Sequence, residues 1–186
     1  MRKNRHWLLT MAMLLSSIMV SAHDFEVDGI YYNILSSSEK TVEVTYEGDY
    51  PHLISYTPEY SGEVVIPASV TYNSTPYDVV SINEYTFSNC TNLTSVSIPS
   101  SVTTIEECIF EACNNLVTII VDENNKVFDS RDNCNAIITT VNNTIVQGCI
   151  GTIIPSSVTE IGKKAFATFY KGLTSVTIPE NIVRVG

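Results

Sequence analysis

Between Leu93 and Leu116 the chain passes through one unit of a pattern that it repeats. Leu93-Thr94-Ser95-Val96-Ser97-Ile98 alternates after its leucine, with Val96 and Ile98 on one side and Ser95 and Ser97 on the other. That period of two predicts a half-buried strand. Pro99 has no N–H to give to a ladder, so it marks the strand exit. Val102 to Ile105 reads as a second short extended segment, and Glu106 to Ala112 as a short helix or turn, with Phe110 inward and Cys113 closing it. Asn92, Asn115 and Gly172 precede Leu93, Leu116 and Leu173. Asn and Gly tolerate the left-handed conformation at a helix end, so this column predicts a turn from helix into strand.

The block Ile98-Pro99-Ser100-Ser101-Val102-Thr103-Thr104-Ile105 returns as Ile154-Pro155-Ser156-Ser157-Val158-Thr159-Glu160-Ile161. Ile66 to Val70 carries an interrupted copy and Ile178 to Ile182 opens another. A spacing of about 23 residues is the signature of stacked repeats. One such unit buries too few apolar side chains to offset the entropy of ordering itself, so stability must come from neighbours sharing strand hydrogen bonds and a continuous core. Pro67, Pro99, Pro155 and Pro179 are then expected at one strand exit in successive coils.

Two stretches depart from the unit. Tyr72 to Val80 contains Asn73, Ser74, Thr75 and Pro76 and reads as a loop bulging from the coil. Residues 121–153 read as a variant coil containing a hairpin, with strand-like runs at Ala136-Ile137-Ile138 and Thr144-Ile145-Val146. Ahead of the repeats, Gly29 to Ile34 and Thr41 to Thr45 flank a Ser-rich turn, a hairpin that would cap the first coil.

At the start of the chain Arg2, Lys3 and Arg5 precede an apolar run from Trp7 to Val20, and Val20-Ser21-Ala22 offers small residues for cleavage. This is the pattern of a secretory signal peptide, with cleavage expected after Ala22. The run is shorter than the roughly 20 residues needed to span a bilayer, so no membrane insertion of the mature chain is expected. The organisation predicted is 1–22 signal peptide, 23–62 N-terminal β capping region and 63–186 repeat array, with a truncated last repeat at 178–186. That unfinished coil suggests either a truncated reading frame or self-association through a C-terminal edge.

The formal charge is -10, and without the three leading basic residues about -13. Nucleic-acid partners are excluded by this balance, because their binding rests on Lys and Arg neutralising phosphates. Of the five cysteines, Cys90 and Cys113 occupy one repeat position, three after Phe87 and Phe110, where Phe169 follows Phe166. A position that accepts Cys or Phe is a core position, so these two are expected as buried thiols. Cys134 and Cys149 form the candidate disulfide pair.

No catalytic, cofactor or metal residues are predicted. The only histidines after the leader are His23 and His52, and there is no Gly-x-Ser-x-Gly, His-Glu-x-x-His or Gly-rich phosphate loop. Asp122-Glu123-Asn124-Asn125-Lys126 places Lys126 at a would-be calcium ligand position and reads as a surface turn. Glu106, Glu107 and Glu111 read as a solvated acidic face, and the Asn-x-Ser/Thr triplets at Asn73, Asn89, Asn92 and Asn142 as turn chemistry.

These motifs resemble the BspA-like class of bacterial leucine-rich repeats, whose unit reads approximately Ile-Pro-x-Ser-Val-Thr-x-Ile-Gly-x-x-Ala-Phe. Ile154 to Phe166 is the best match; Glu106 and Ile109 stand where that unit has Gly and Ala. The resemblance implies a strand-dominated α/β-type solenoid, a right-handed coil of parallel strands with short helices or turns behind an N-terminal β-hairpin cap. It also implies secretion or display at the cell surface and attachment to a host extracellular matrix or cell-surface protein, without enzymatic activity or cofactors. The candidate binding surface is the exposed strand face carrying Ser95, Ser97, Thr118, Ile120, Ser175 and Thr177. A structural spacer is the alternative role, and a secreted hydrolase using His52 a further one.

Overall fold

The computed structural model describes residues 23–47, 60–166, 173 and 175–186. The expected signal peptide, His52, Phe169 and Gly172 lie outside these residues.

The chain begins with β1 (Phe25–Val27), β2 (Ile30–Ser36) and β3 (Thr41–Thr45), an antiparallel run in which Tyr32 lies opposite both Phe25 and Val44. The expected hairpin is β2 and β3; β1 extends it. Asp28 and Gly29 make the β1–β2 turn with φ of 52° and 77°. Two residues with positive φ form the turn whose twist matches that of the strands, and Asp-Gly favours it. β3 then pairs in parallel with the strand that ends at Ile82, so the N-terminal strands share one sheet with residues inside the repeat region.

β4 (Gly62–Val65), β5 (Ser69–Tyr72) and β6 (Thr75–Ile82) follow. Tyr72 to Val80 is therefore not a bulging loop. β5 and β6 are antiparallel, Val70 opposite Tyr77, and only Asn73 and Ser74 turn the chain, with φ of 48° and 62°. Tyr77 and Val79 alternate inward along β6 and are buried, which holds the segment as a strand despite Pro76.

The reference unit supplies β7 (Leu93–Ile98), β8 (Thr104–Ile105) and β9 (Thr118–Val121). β7 pairs in parallel with β4 and with β9, and β6 pairs in parallel with β8. Ser95 faces Thr118 and Ser81 faces Thr104, pairs that are each 23 residues apart. In these two ladders the repeat period is thus the register. Beyond them, β10 (Phe128–Asp129), β11 (Ala136–Thr139) and β12 (Thr144–Gly148) are antiparallel, and β13 (Glu160–Ile161) and β14 (Arg184–Val185) add in parallel to β12. The variant coil with its hairpin is the β10–β12 run.

The fold is strand-dominated, and the 3-10 turn Arg131–Asn133 is the only helical element among the described residues. Glu106 to Ala112 forms consecutive turns rather than a helix. Cys108 and Ala112 have φ of 56° and 57°, as Tyr85 and Asn89 do one repeat earlier at 59° and 57°. A left-handed residue every few positions breaks an α-helix. The main chain at these corners is bonded between repeats instead: Phe87 N–H donates to the Ile109 carbonyl at 2.9 Å and Asn89 N–H to the Glu111 carbonyl.

Stacking also builds the core. Tyr60, Phe87 and Phe110 form a column with ring centroids 4.9 and 5.4 Å apart. Beside it Cys90 and Cys113 are fully buried, as expected, and the Cys113 thiol donates to the Phe87 carbonyl at 2.8 Å. Each buried aliphatic or aromatic side chain here contributes about 1.5–3 kcal/mol.

The expected Cys134–Cys149 bridge does not form; all five cysteines are free thiols. Cys149 packs in the main core with Leu116 and Ile137, while Cys134 packs in a second cluster with Ala136, Ile138 and Ile145. Their thiols bond to separate main-chain carbonyls, Cys149 to Asn135 at 3.2 Å and Cys134 to Ala136 at 3.7 Å.

Pro67 and Pro99 stand just past β4 and β7, as expected of strand exits. Ile154-Pro155 and Ile178-Pro179 are not preceded by a strand among the described residues. Among the described residues the sheet β4-β7-β9 accordingly ends at β9.

Candidate functional site

In-register parallel pairing turns the alternation of three sequences into columns. Val64, Val96 and Ile119 are aligned and buried. The intervening residues therefore point outward and line up as Glu63–Ser95–Thr118 and Val65–Ser97–Ile120. Neighbouring strands lie about 4.8 Å apart, so each column is a row of side chains at that pitch. Val65 is 60% exposed and Ile120 49%, with the smaller Ser97 between them, and Ser95 and Thr118 are half-buried. The result is a patch with a largely apolar row beside a hydroxyl-rich one that ends in the carboxylate of Glu63.

Cross-links hold the patch rigid. The Thr94 hydroxyl donates to the Gly62 carbonyl at 2.9 Å, and the Asn115 amide donates to the Thr91 carbonyl at 2.7 Å. Past β9 the chain returns close to it, with Ile150 N–H donating to the Leu116 carbonyl at 3.2 Å. A Cβ on Gly151 would collide with the Val117 carbonyl oxygen, so glycine permits this approach.

Four of the six residues expected on the binding face, Ser95, Ser97, Thr118 and Ile120, are brought together. Ser175 and Thr177 are exposed but belong to no strand, so they do not extend the columns. Glu63 and Val65 escaped the sequence reading because β4 lacks the leading Leu-Thr of β7. Aligning Val64-Val65-Ile66-Pro67 with Val96-Ser97-Ile98-Pro99 would have found them.

The patch suits contact rather than covalent chemistry. Its serine and threonine hydroxyls both donate and accept hydrogen bonds. Their use as nucleophiles would need an adjacent base, and neither column carries a histidine. His23 lies in the first sheet region against Tyr31, ring centroids 4.7 Å apart. Burial pushes the thiols of Cys108, Cys113, Cys134 and Cys149 above their ordinary range, which disfavours the reactive thiolate. Among the described residues no group of His, Cys, Asp and Glu gathers as a metal site. Asp122 accepts from Asn124 N–H at 2.8 Å, the surface turn expected there. Glu106 and Glu107 are exposed, and Glu107 meets Lys164 at 3.1 Å across a corner.

The pattern of the BspA type leucine rich repeat region matches residues 67–186 in six copies. The chain belongs to this family. The BspA-type region begins after β4, so Glu63 and Val65 lie ahead of it although they continue its ladder. A leucine-rich repeat protein from Bacteroides ovatus ATCC 8483 is similar, at 30% identity over 88% of this chain and 37% of that one, with a TM-score of 0.52. A leucine rich cell surface protein from Faecalibacterium prausnitzii A2-165 is 21% identical over 87% of this chain and 44% of that one, with a TM-score of 0.46. This BspA-type chain spans less than half the length of either. No curated protein matches it in sequence.

Proposed function

We propose that this chain is an exported protein-binding module whose ladders are successive turns of a right-handed solenoid. In this reading it recognises a host extracellular matrix or cell-surface protein through the outward face of β4, β7 and β9. The observation that carries the reading is the paired columns: one sheet face presents exposed Val65 and Ile120 beside hydroxyls and a carboxylate. Exposed apolar groups rimmed by polar ones mark recognition surfaces. Family membership supports a repeat module, and the leader pattern at residues 1–22 supports export.

The test is a binding screen of the purified chain against immobilised extracellular-matrix proteins. Saturable binding to one of them that is competed by the soluble chain is the expected result. Absence of binding to every matrix and cell-surface preparation would overturn the reading.

A further inference from the structure

We infer that the outer edge of β4 is a strand-acceptor site for an extended basic segment of a partner protein. Among the described residues β4 is a terminal strand of its sheet. Gly62 and Ile66 donate their N–H groups to the Asn92 and Ser97 carbonyls of the neighbouring strand segment, at 2.8 and 3.0 Å. Alternate residues of a parallel strand turn their main chain to opposite sides. Val64 therefore faces β7 with Gly62 and Ile66, while Glu63 and Val65 direct N–H and C=O away from it. Among the described residues neither has a partner on that side. An unpaired strand edge of this kind is a template for another chain's strand.

The space beside the edge is a groove of about 620 Å³. Its walls include the β1–β2 turn at Asp28 and Gly29, Tyr60, and Ser69 and Thr71 of β5. At about 3.3 Å per residue the four residues of β4 accept a segment of similar length. Asp28 and Glu63 are exposed carboxylates in the lining, which contains no Lys or Arg. Neither carboxylate forms an ion pair among the described residues. With a net charge of -10 behind them, they select a segment bearing Lys or Arg. Main-chain bonding to Glu63 and Val65 supplies affinity, and the two carboxylates supply the choice of sign. This edge adjoins the sheet face proposed above and shares Glu63 and Val65 with it, but it binds through their main chain, whereas Ser95, Ser97, Thr118 and Ile120 belong to the face alone.

The probe is an acetylated, amidated octapeptide alternating lysine and valine, titrated into the purified chain while amide hydrogen exchange is followed. The expected result is saturable, salt-weakened binding with slowed exchange at Glu63 and Val65. Val65→Pro removes one outward donor at an edge position that tolerates proline, and weakens binding roughly fivefold. Val65→Thr retains the N–H and binds as the parent does, and Glu63→Lys with Asp28→Lys weakens binding. Two results would overturn the proposal. One is equal binding of peptides N-methylated at alternate residues in either register, which keep the charge and lose the donors. The other is slow exchange of the Glu63 and Val65 amides in the protein alone, which would show the edge already filled.

Discussion

The side-chain amide of Asn125 donates to the main-chain carbonyl of Val102 at 2.8 Å, joining residues 23 positions apart. The same nitrogen reaches the Pro99 carbonyl at 3.0 Å, and its oxygen accepts from the N–H groups of Val127 and Phe128, both at 2.9 Å. Asn125 is buried, and these bonds use both of its donors and both acceptor positions. Asn181 repeats the contact with the Val158 carbonyl, again 23 residues back. The asparagine thus ties the entry of the variant coil to the repeat before it. Asn125→Asp, which would face two carbonyls with an acceptor, is expected to destabilise the fold by about 2–4 kcal/mol, because buried groups left unpaired cost about 1–3 kcal/mol each. Urea unfolding measures this, and a loss below 1 kcal/mol would remove the role.

The repeat corners provide a second prediction. Ala112 sits at φ 57° in consecutive turns. Glycine adopts that conformation without the Cβ penalty, so Ala112→Gly is expected to raise stability by about 0.5–1 kcal/mol. In a helix the same change would lower it by about 1 kcal/mol. The sign of the shift in the unfolding midpoint therefore decides between turn and helix.

This difference marks where the sequence stopped being legible. The alternation in Leu93 to Ile98, the hairpin of β2 and β3 and the burial of Cys90 and Cys113 follow from side-chain period alone, and they appear as expected. At Glu106 to Ala112 what governs the conformation is long-range: Phe87 and Asn89 spend their N–H groups on the next repeat's carbonyls. Local composition carries no sign of that. Tyr72 to Val80 misled for another reason, since Asn73, Ser74 and Pro76 outweighed the inward alternation of Tyr77 and Val79. For the candidate site, Ser95, Ser97, Thr118 and Ile120 were readable from the repeat. Glu63 and Val65 were hidden by the degenerate start of β4, and Ser175 and Thr177 were carried along by a pattern that the sheet does not follow past β9.

The thiols give a third prediction. In the folded chain without reductant, a thiol reagent is expected to react slowly, because all five cysteines are buried. Unfolding in denaturant should then release five reactive thiols. A count of three would mean that Cys134 and Cys149 are bridged after all.

The same burial sets a pH dependence. Cys113 is pushed well above its ordinary range, first by desolvation and then by Cys90, and Cys149 is raised by desolvation. A folded-state value raised above the unfolded one means that the folded chain holds the proton longer. The associated stability is complete below the unfolded thiol value near pH 8.5 and is lost as pH rises toward the folded one. Unfolding midpoints measured from pH 7 to 10 should fall above about pH 8.5, and a flat profile would contradict the assignment.

The columns on β4, β7 and β9 are the centre of the functional account, and Ser95→Arg with Thr118→Arg places two long cations in the Glu63–Ser95–Thr118 row without touching the core. The decisive measurement is surface plasmon resonance of parent and double variant over the matrix protein that binds the parent, with the unfolding midpoint of each recorded. The account predicts at least a tenfold loss of affinity, equivalent to about 1.4 kcal/mol, with the midpoint unchanged. Unaltered affinity in a folded double variant would contradict it.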